Sequence, residues 1–209
     1  MPSNYILDAD GKFTIYDYNN AKPWSSFFPG IAGLYGIPIW VFYVNRGQCI
    51  SSVGIRSKDE AIMEFLPANK AYQLTSLQGF RTFIKIRSKK EQRFYEPFSL
   101  SGGVLNKGIK NSLSITPYDL SISEINSKDG LKVDVGYFTI PGEHYAGVVR
   151  ELTIGNISKK PLDLEVADGL SVIVPCGVNN WFLKEMSRTI EAWMGVDNVS
   201  AGVPVFKLT

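Results

Sequence analysis

The sequence predicts a mainly β chain, antiparallel and folded as a large sandwich or barrel, and three observations predict it. β-Branched and aromatic residues recur with period two in short stretches. Turn-forming pairs such as Asp10-Gly11, Asp129-Gly130 and Asp168-Gly169 separate those stretches and supply the positive φ that tight hairpins require. Helical periodicity is confined to one segment near the C-terminus. Short strands at this spacing build antiparallel sheets, whereas a parallel sheet needs a helix between successive strands.

In chain order, Asp10-Gly11 opens a strand from Phe13 to Tyr18, and Pro38 leads into an aromatic strand ending at Val44. Alternation then marks Ile50 to Ile55, Phe80 to Ile86 and Arg93 to Phe98, the last two flanking the charged turn Ser88-Lys89-Lys90-Glu91. Beyond Ser101-Gly102-Gly103 come Leu113 to Thr116, Leu120 to Asn126 and, across Asp129-Gly130, Leu131 to Ile140. Ala146 to Ile154 and Leu162 to Val166 flank the turn Ser158-Lys159-Lys160-Pro161, and a last strand runs from Val203 to Leu208. One amphipathic helix interrupts the series. From Asn180 to Met194, Phe182, Met186, Ile190 and Trp193 fall at i, i+4, i+8 and i+11, with Asn179 or Asn180 as N-cap and Gly195 just past the end. Lys184, Glu185, Arg188 and Glu191 form its solvated face.

The 209 residues are 44% hydrophobic and 20% charged, enough for one substantial core and the expectation of a single domain over residues 1–209. A net charge of +2 without a long basic run gives no footprint for phosphate-backbone binding, so no nucleic-acid partner is expected. MPSNYILDADGKF has no basic region followed by an apolar one, and no apolar run approaches the roughly 20 residues of a membrane helix. A cytoplasmic chain with no membrane partner is therefore expected, and the sequons at Asn156 and Asn198 read as turns. Cys49 and Cys176, far apart in sequence, read as buried free thiols.

Imidazole chemistry would have to pass through His144, the single histidine, in the Pro-Gly-Glu-His corner at 141–144. There is no G-x-S-x-G elbow and no paired-ligand spacing for a metal, so neither a catalytic residue, a metal nor a cofactor is assigned. Asp8-Ala9-Asp10-Gly11 lacks the later positions of a calcium loop and reads as a turn. Asp59, Glu60, Glu64, Glu143 and Glu165 are candidate carboxylates whose separation in space the sequence does not fix; Glu60 and Glu64 would share a face if that stretch were helical. Gly30, Gly33 and Gly36 lack dinucleotide-fingerprint spacing and read as an irregular loop whose backbone comes close to another segment. Around them stand Trp24, Phe27, Phe28, Tyr35, Trp40, Phe42 and Tyr43, residue types that serve a sandwich core or stack on the CH face of a sugar.

The block from Ala21 to Ile86, with SSFFPGIAG, IPIWVFYVNRGQ, IMEFLPANKAYQ and GFRTFIK, resembles the N-terminal region of 1,2-β-oligoglucan phosphorylases and their relatives in glycoside hydrolase family 94. Glu151 to Ser158 and the run Val174 to Trp181, continuing toward Met194, are similar to the same group. The resemblance implies a galactose-mutarotase-like super-sandwich that supports a separate helical barrel. In that barrel an Asp general acid assists phosphate attack with inversion, releasing glucose 1-phosphate. The chain is then expected to be a non-catalytic part of a longer phosphorylase. Its expected partners are the downstream helical domain, a β-glucan oligosaccharide and a second copy in a dimer contact. A stand-alone carbohydrate-binding module and a sugar epimerase are the competing expectations, the latter set back by the single histidine. Sugar-contacting candidates are Trp24, Trp40, Tyr43, Asn45, Arg46 and Gln48, the polar ones because sugars need hydrogen-bonding partners, although Asn45-Arg46-Gly47 reads more simply as a hairpin turn.

Overall fold

The computed structural model describes residues 5–28, 32–87, 92–100 and 108–208. Two short strands, β1 (Tyr5–Leu7) and β2 (Phe13–Tyr16), precede β3 (Ser25–Phe27), β4 (Ile39–Val44), β5 (Ile50–Ile55) and β6 (Ala61–Met63). A helix, α1 (Ala68–Gln78), leads into β7 (Phe80–Arg87), β8 (Gln92–Tyr95), β9 (Ile109–Ile115), β10 (Asp119–Asn126) and β11 (Leu131–Thr139). The chain continues through β12 (Val148–Asn156), β13 (Asp163–Leu170), β14 (Met194–Asp197) and β15 (Val205–Leu208). The chain is mainly β and, among the described residues, the strand pairs are all antiparallel, in sheets ordered β1-β2-β9-β10-β11-β12, β3-β4-β5-β6, β13-β7-β8 and β14-β15.

Period-two alternation fixes which side chains meet. Leu120 and Ile122 on β10, and Leu131, Val133, Val135 and Tyr137 on β11, are buried on one face of the six-stranded sheet. They share one core with Val41, Tyr43, Ile50 and Val53 of β4–β5 and with Ile84 and Ile86 of β7. The core thus lies between the six-stranded sheet and the two smaller sheets facing it, and the sandwich expected from the sequence is the observed architecture.

The helix is elsewhere than expected. The α-helix of the described residues is α1, which buries only Ala71 and Thr75, one turn apart, so it offers no bulky apolar stripe to read. From Phe182 to Met186 the chain is instead a π-helix and from Ser187 to Trp193 a 3₁₀ helix. Asn179 does cap this segment, its Oδ1 accepting from the Phe182 N–H at 3.0 Å. The change of pitch from π to 3₁₀ rotates successive residues off a common face; Ile190 is buried while Trp193 is 45% exposed. Gly195 lies within β14 rather than ending a helix.

Further differences are local. Asp168-Gly169 belongs to β13, paired with Arg81 and Thr82, and is not a turn. Glu60 and Glu64 flank β6 and share no helix. Cys49 is buried but Cys176 is exposed. Asp8 forms the expected turn, its Oδ1 accepting from the N–H groups of Asp10 and Lys12. The expected turns at Ser88 to Glu91 and Ser101 to Gly103, like Gly30, lie outside the described residues. No helix among the described residues is long and apolar enough to cross a membrane.

Candidate functional site

On β4 the inward positions Val41 and Tyr43 are buried, which places Trp40 and Phe42 on the opposite face. The β3–β4 register sets Phe27 opposite Phe42, so Phe27 joins them. Its ring centroid lies 5.7 Å from Trp40, nearly perpendicular, and 5.4 Å from Phe42. Trp40 and Phe27 are each about half exposed, and the Trp40 indole N–H is held by the Arg56 carbonyl at 2.9 Å. The result is a fixed aromatic face with open ring surface.

The other sequence candidates stand apart from this face. Trp24, 39% exposed, packs 5.0 Å from the Phe13 ring, and its indole N–H lies 3.4 Å from the buried Tyr43 hydroxyl. Its main-chain N–H donates to Asn45 Oδ1 at 2.8 Å, while Asn45 Nδ2 donates to the carbonyls of Tyr18 and Lys22. The Arg46 guanidinium donates to the carbonyls of Tyr18, Ala21 and Asn45 and lies 5.7 Å over the Tyr72 ring of α1. Trp24, Tyr43, Asn45 and Arg46 are therefore brought together, and their polar atoms tie residues 18–24 to the β4–β5 hairpin. Trp40 stands on the outer aromatic face.

Gln48 belongs to a third cluster. Its Nε2 donates to Thr82 Oγ1 at 2.9 Å and its Oε1 accepts from Arg150 at 2.6 Å. Arg150 faces inward from β12, beside Tyr137, and forms a bidentate pair with Asp168 of β13 at 2.5 and 2.9 Å. Thr82 Oγ1 donates to Asp168 at 2.6 Å, and the Tyr137 hydroxyl donates to the Gln48 carbonyl at 2.9 Å. This network bridges the two layers at the β12–β13 edge.

At the β8 side the layers part around a cavity of about 550 Å³, within the size range of small-molecule pockets. Its floor is Glu124, buried on the inward face of β10 and accepting from the Tyr95 hydroxyl at 2.5 Å. Burial raises the Glu124 carboxyl above the ordinary glutamate range, an effect that hydrogen bonds from Tyr95, the Phe98 backbone and Asn111 partly offset. Burial and the Glu124 charge push the Tyr95 phenol up as well, which keeps it a donor. Asn111 Oδ1 is buried with no hydrogen-bond partner. Tyr16 and Phe94, 50% and 78% exposed, stand in the cavity wall with Asp17 and Glu96.

No family model and no curated protein matches the chain. The chemistry of these sites therefore rests on their own geometry. His144 is exposed in the segment joining β11 and β12, outside the four places described above. No group of three or more potential metal ligands occurs among the described residues. The close approach expected at the glycine loop is to that same segment: Gly142 N–H donates to the Ala32 carbonyl at 2.7 Å, and a Cβ on Gly33 would meet Gly142 N at 2.8 Å.

The Glu124 cleft was missed at the sequence level, although its signal is present. In β10 the inward positions run Leu120, Ile122, Glu124, Asn126, so two polar residues occupy positions that the alternation assigns to the core.

Proposed function

We propose that the chain is a non-catalytic β-sandwich domain of an inverting β-glucan phosphorylase, one that supports the helical catalytic barrel and lends an aromatic surface to carbohydrate. The observation that carries this reading is the Phe27–Trp40–Phe42 face. Two of the sequence blocks that resemble the phosphorylases, SSFFPGIAG and IPIWVFYVNRGQ, contain β3 and β4, and these two strands present the three rings. Half-exposed aromatic rings fixed in place match the CH faces of a pyranose. A single imidazole in the whole sequence leaves an epimerase no pair of histidines to set across a sugar ring.

Two measurements test the proposal. Titration with sophoro-oligosaccharides is expected to change tryptophan fluorescence saturably, and Trp40→Ala to abolish most of that change. With sophorotriose and inorganic phosphate the chain alone is expected to release no glucose 1-phosphate, whereas co-expression with the adjoining helical domain restores release. Phosphorolysis by the isolated chain would overturn the non-catalytic assignment. Saturable binding with no activity in combination would favour a stand-alone carbohydrate-binding module.

A further inference from the structure

A strand at the edge of a sheet carries unpaired main-chain groups, and chains guard such edges with short strands, bulges, proline or charge. Most edges here are short: β1, β3 and β6 have three residues each, and β8, β14 and β15 have four. β13, eight residues long, carries Asp163, Glu165 and Asp168. β12 is the exception. It runs nine residues, VVRELTIGN, with no proline or lysine, and pairs with β11 without a register shift. Among the described residues no strand pairs with its other edge.

The β11–β12 ladder fixes which groups that edge offers. Just beyond the two ends of β12, Ile140 N–H donates to the Gly147 carbonyl at 3.1 Å and Ile157 N–H to the Gly130 carbonyl at 2.8 Å. In an antiparallel pair, residues bonded to the neighbour alternate with residues whose N–H and C=O point away. Val149, Glu151, Thr153 and Gly155 therefore bond β11, while Val148, Arg150, Leu152, Ile154 and Asn156 turn their main-chain groups outward. On the inward face Val148, Leu152 and Ile154 are only partly buried against the core, and the Arg150 side chain is already held by Asp168.

A second copy fits this edge. The antiparallel register that pairs the whole strand has a two-fold axis at Leu152, and it sets Leu152 opposite Leu152, Arg150 opposite Ile154 and Glu151 opposite Thr153. The outward-pointing main-chain groups then meet one another and no like charges are opposed, whereas an axis at Arg150 or Glu151 would oppose like charges. We propose that β12 pairs with β12 of a second copy in this register, joining two six-stranded sheets into one across a symmetric dimer. The inference is independent of the carbohydrate reading.

The test joins sedimentation equilibrium of the intact chain to residue-resolved amide hydrogen exchange. A monomer–dimer equilibrium is expected, with the Arg150, Leu152 and Ile154 amides protected in the concentrated sample and exchanging freely on dilution, while Glu151 and Thr153 stay protected in both. Thr153 is exposed, so substitution there leaves the fold intact. Thr153→Glu sets two carboxylates opposite each other at both symmetry-related places and is expected to raise the dimer dissociation constant about tenfold. Thr153→Lys, opposite Glu151, is expected to lower it. A monomer at every concentration overturns the proposal and leaves the edge to a strand of a different polypeptide. A dimer whose dissociation constant neither change moves, or whose Arg150, Leu152 and Ile154 amides stay unprotected, also overturns it.

Discussion

Two places in the sandwich put charge between the layers, and they solve the problem in opposite ways. At the β12–β13 edge, Arg150 meets Asp168, Thr82 and Gln48, with the Phe80 ring beneath the guanidinium at 5.2 Å. Positive and negative charge balance, and the Arg150 side chain is 9% exposed. At the β8 side Glu124 is as deeply buried, yet the hydrogen bonds it receives come from neutral groups, and it lines the cavity there. A balanced pair filling its space holds two sheets together. An unbalanced group facing a cavity is poised to meet something from outside.

The largest way to break this contrast is to unbalance the first site. Arg150→Met leaves Asp168 without its cation and is expected to destabilise the chain by about 3 kcal/mol, read as a lower urea midpoint. Asp168 keeps a quarter of its side-chain surface in water, which holds the loss to the low end of that range. The double change Arg150→Met with Asp168→Leu should recover most of it. A loss in the double variant equal to that of Arg150→Met alone would show that packing, not charge balance, sets the value. A smaller effect is expected from Tyr137→Phe, which removes one buried hydrogen bond to the Gln48 carbonyl and should reduce stability by about 1 kcal/mol in the same measurement.

How far these sites can be read from sequence depends on what carries the information. The sandwich was legible because inward and outward residues alternate so regularly along β10 and β11. The C-terminal helix was misread because an i, i+4, i+8 stripe presumes constant pitch, and the chain from Phe182 to Trp193 changes pitch midway. α1 escaped for the converse reason, since Ala71 and Thr75 are too small to stand out. Trp40 and Trp24 look alike in sequence, but alternation along β4 puts Trp40 on the outer face, while Trp24, just before β3, packs against Phe13. Asn45 and Arg46 illustrate a further ambiguity: groups able to hold a sugar are equally able to hold the main chain, and here they hold the carbonyls of Tyr18, Ala21 and Lys22. Arg150 and Glu124 were readable in principle, as charged residues in register with core positions, but which of them has a partner is decided by strands distant in sequence.

The finest test of the contrast is the pH dependence of stability contributed by Glu124. Its carboxyl is raised in the folded chain by burial, so over the interval between the ordinary glutamate value and the raised one the folded state binds more protons than the unfolded state. The favourable contribution is complete below the ordinary value, where both states are protonated, and is lost as pH rises through the folded value. Wild-type stability should therefore decline across that interval toward neutrality, and Glu124→Gln, which cannot ionise, should flatten this part of the profile. Urea midpoints measured at a series of pH values in both proteins supply the check. Arg150→Met lies in the other cluster and should retain the same Glu124 component of the slope, offset to lower stability. A wild-type profile with no such decline would mean that Tyr95, Phe98 and Asn111 stabilise the ionised carboxylate as fully as water does, and the two clusters would then be electrostatically alike.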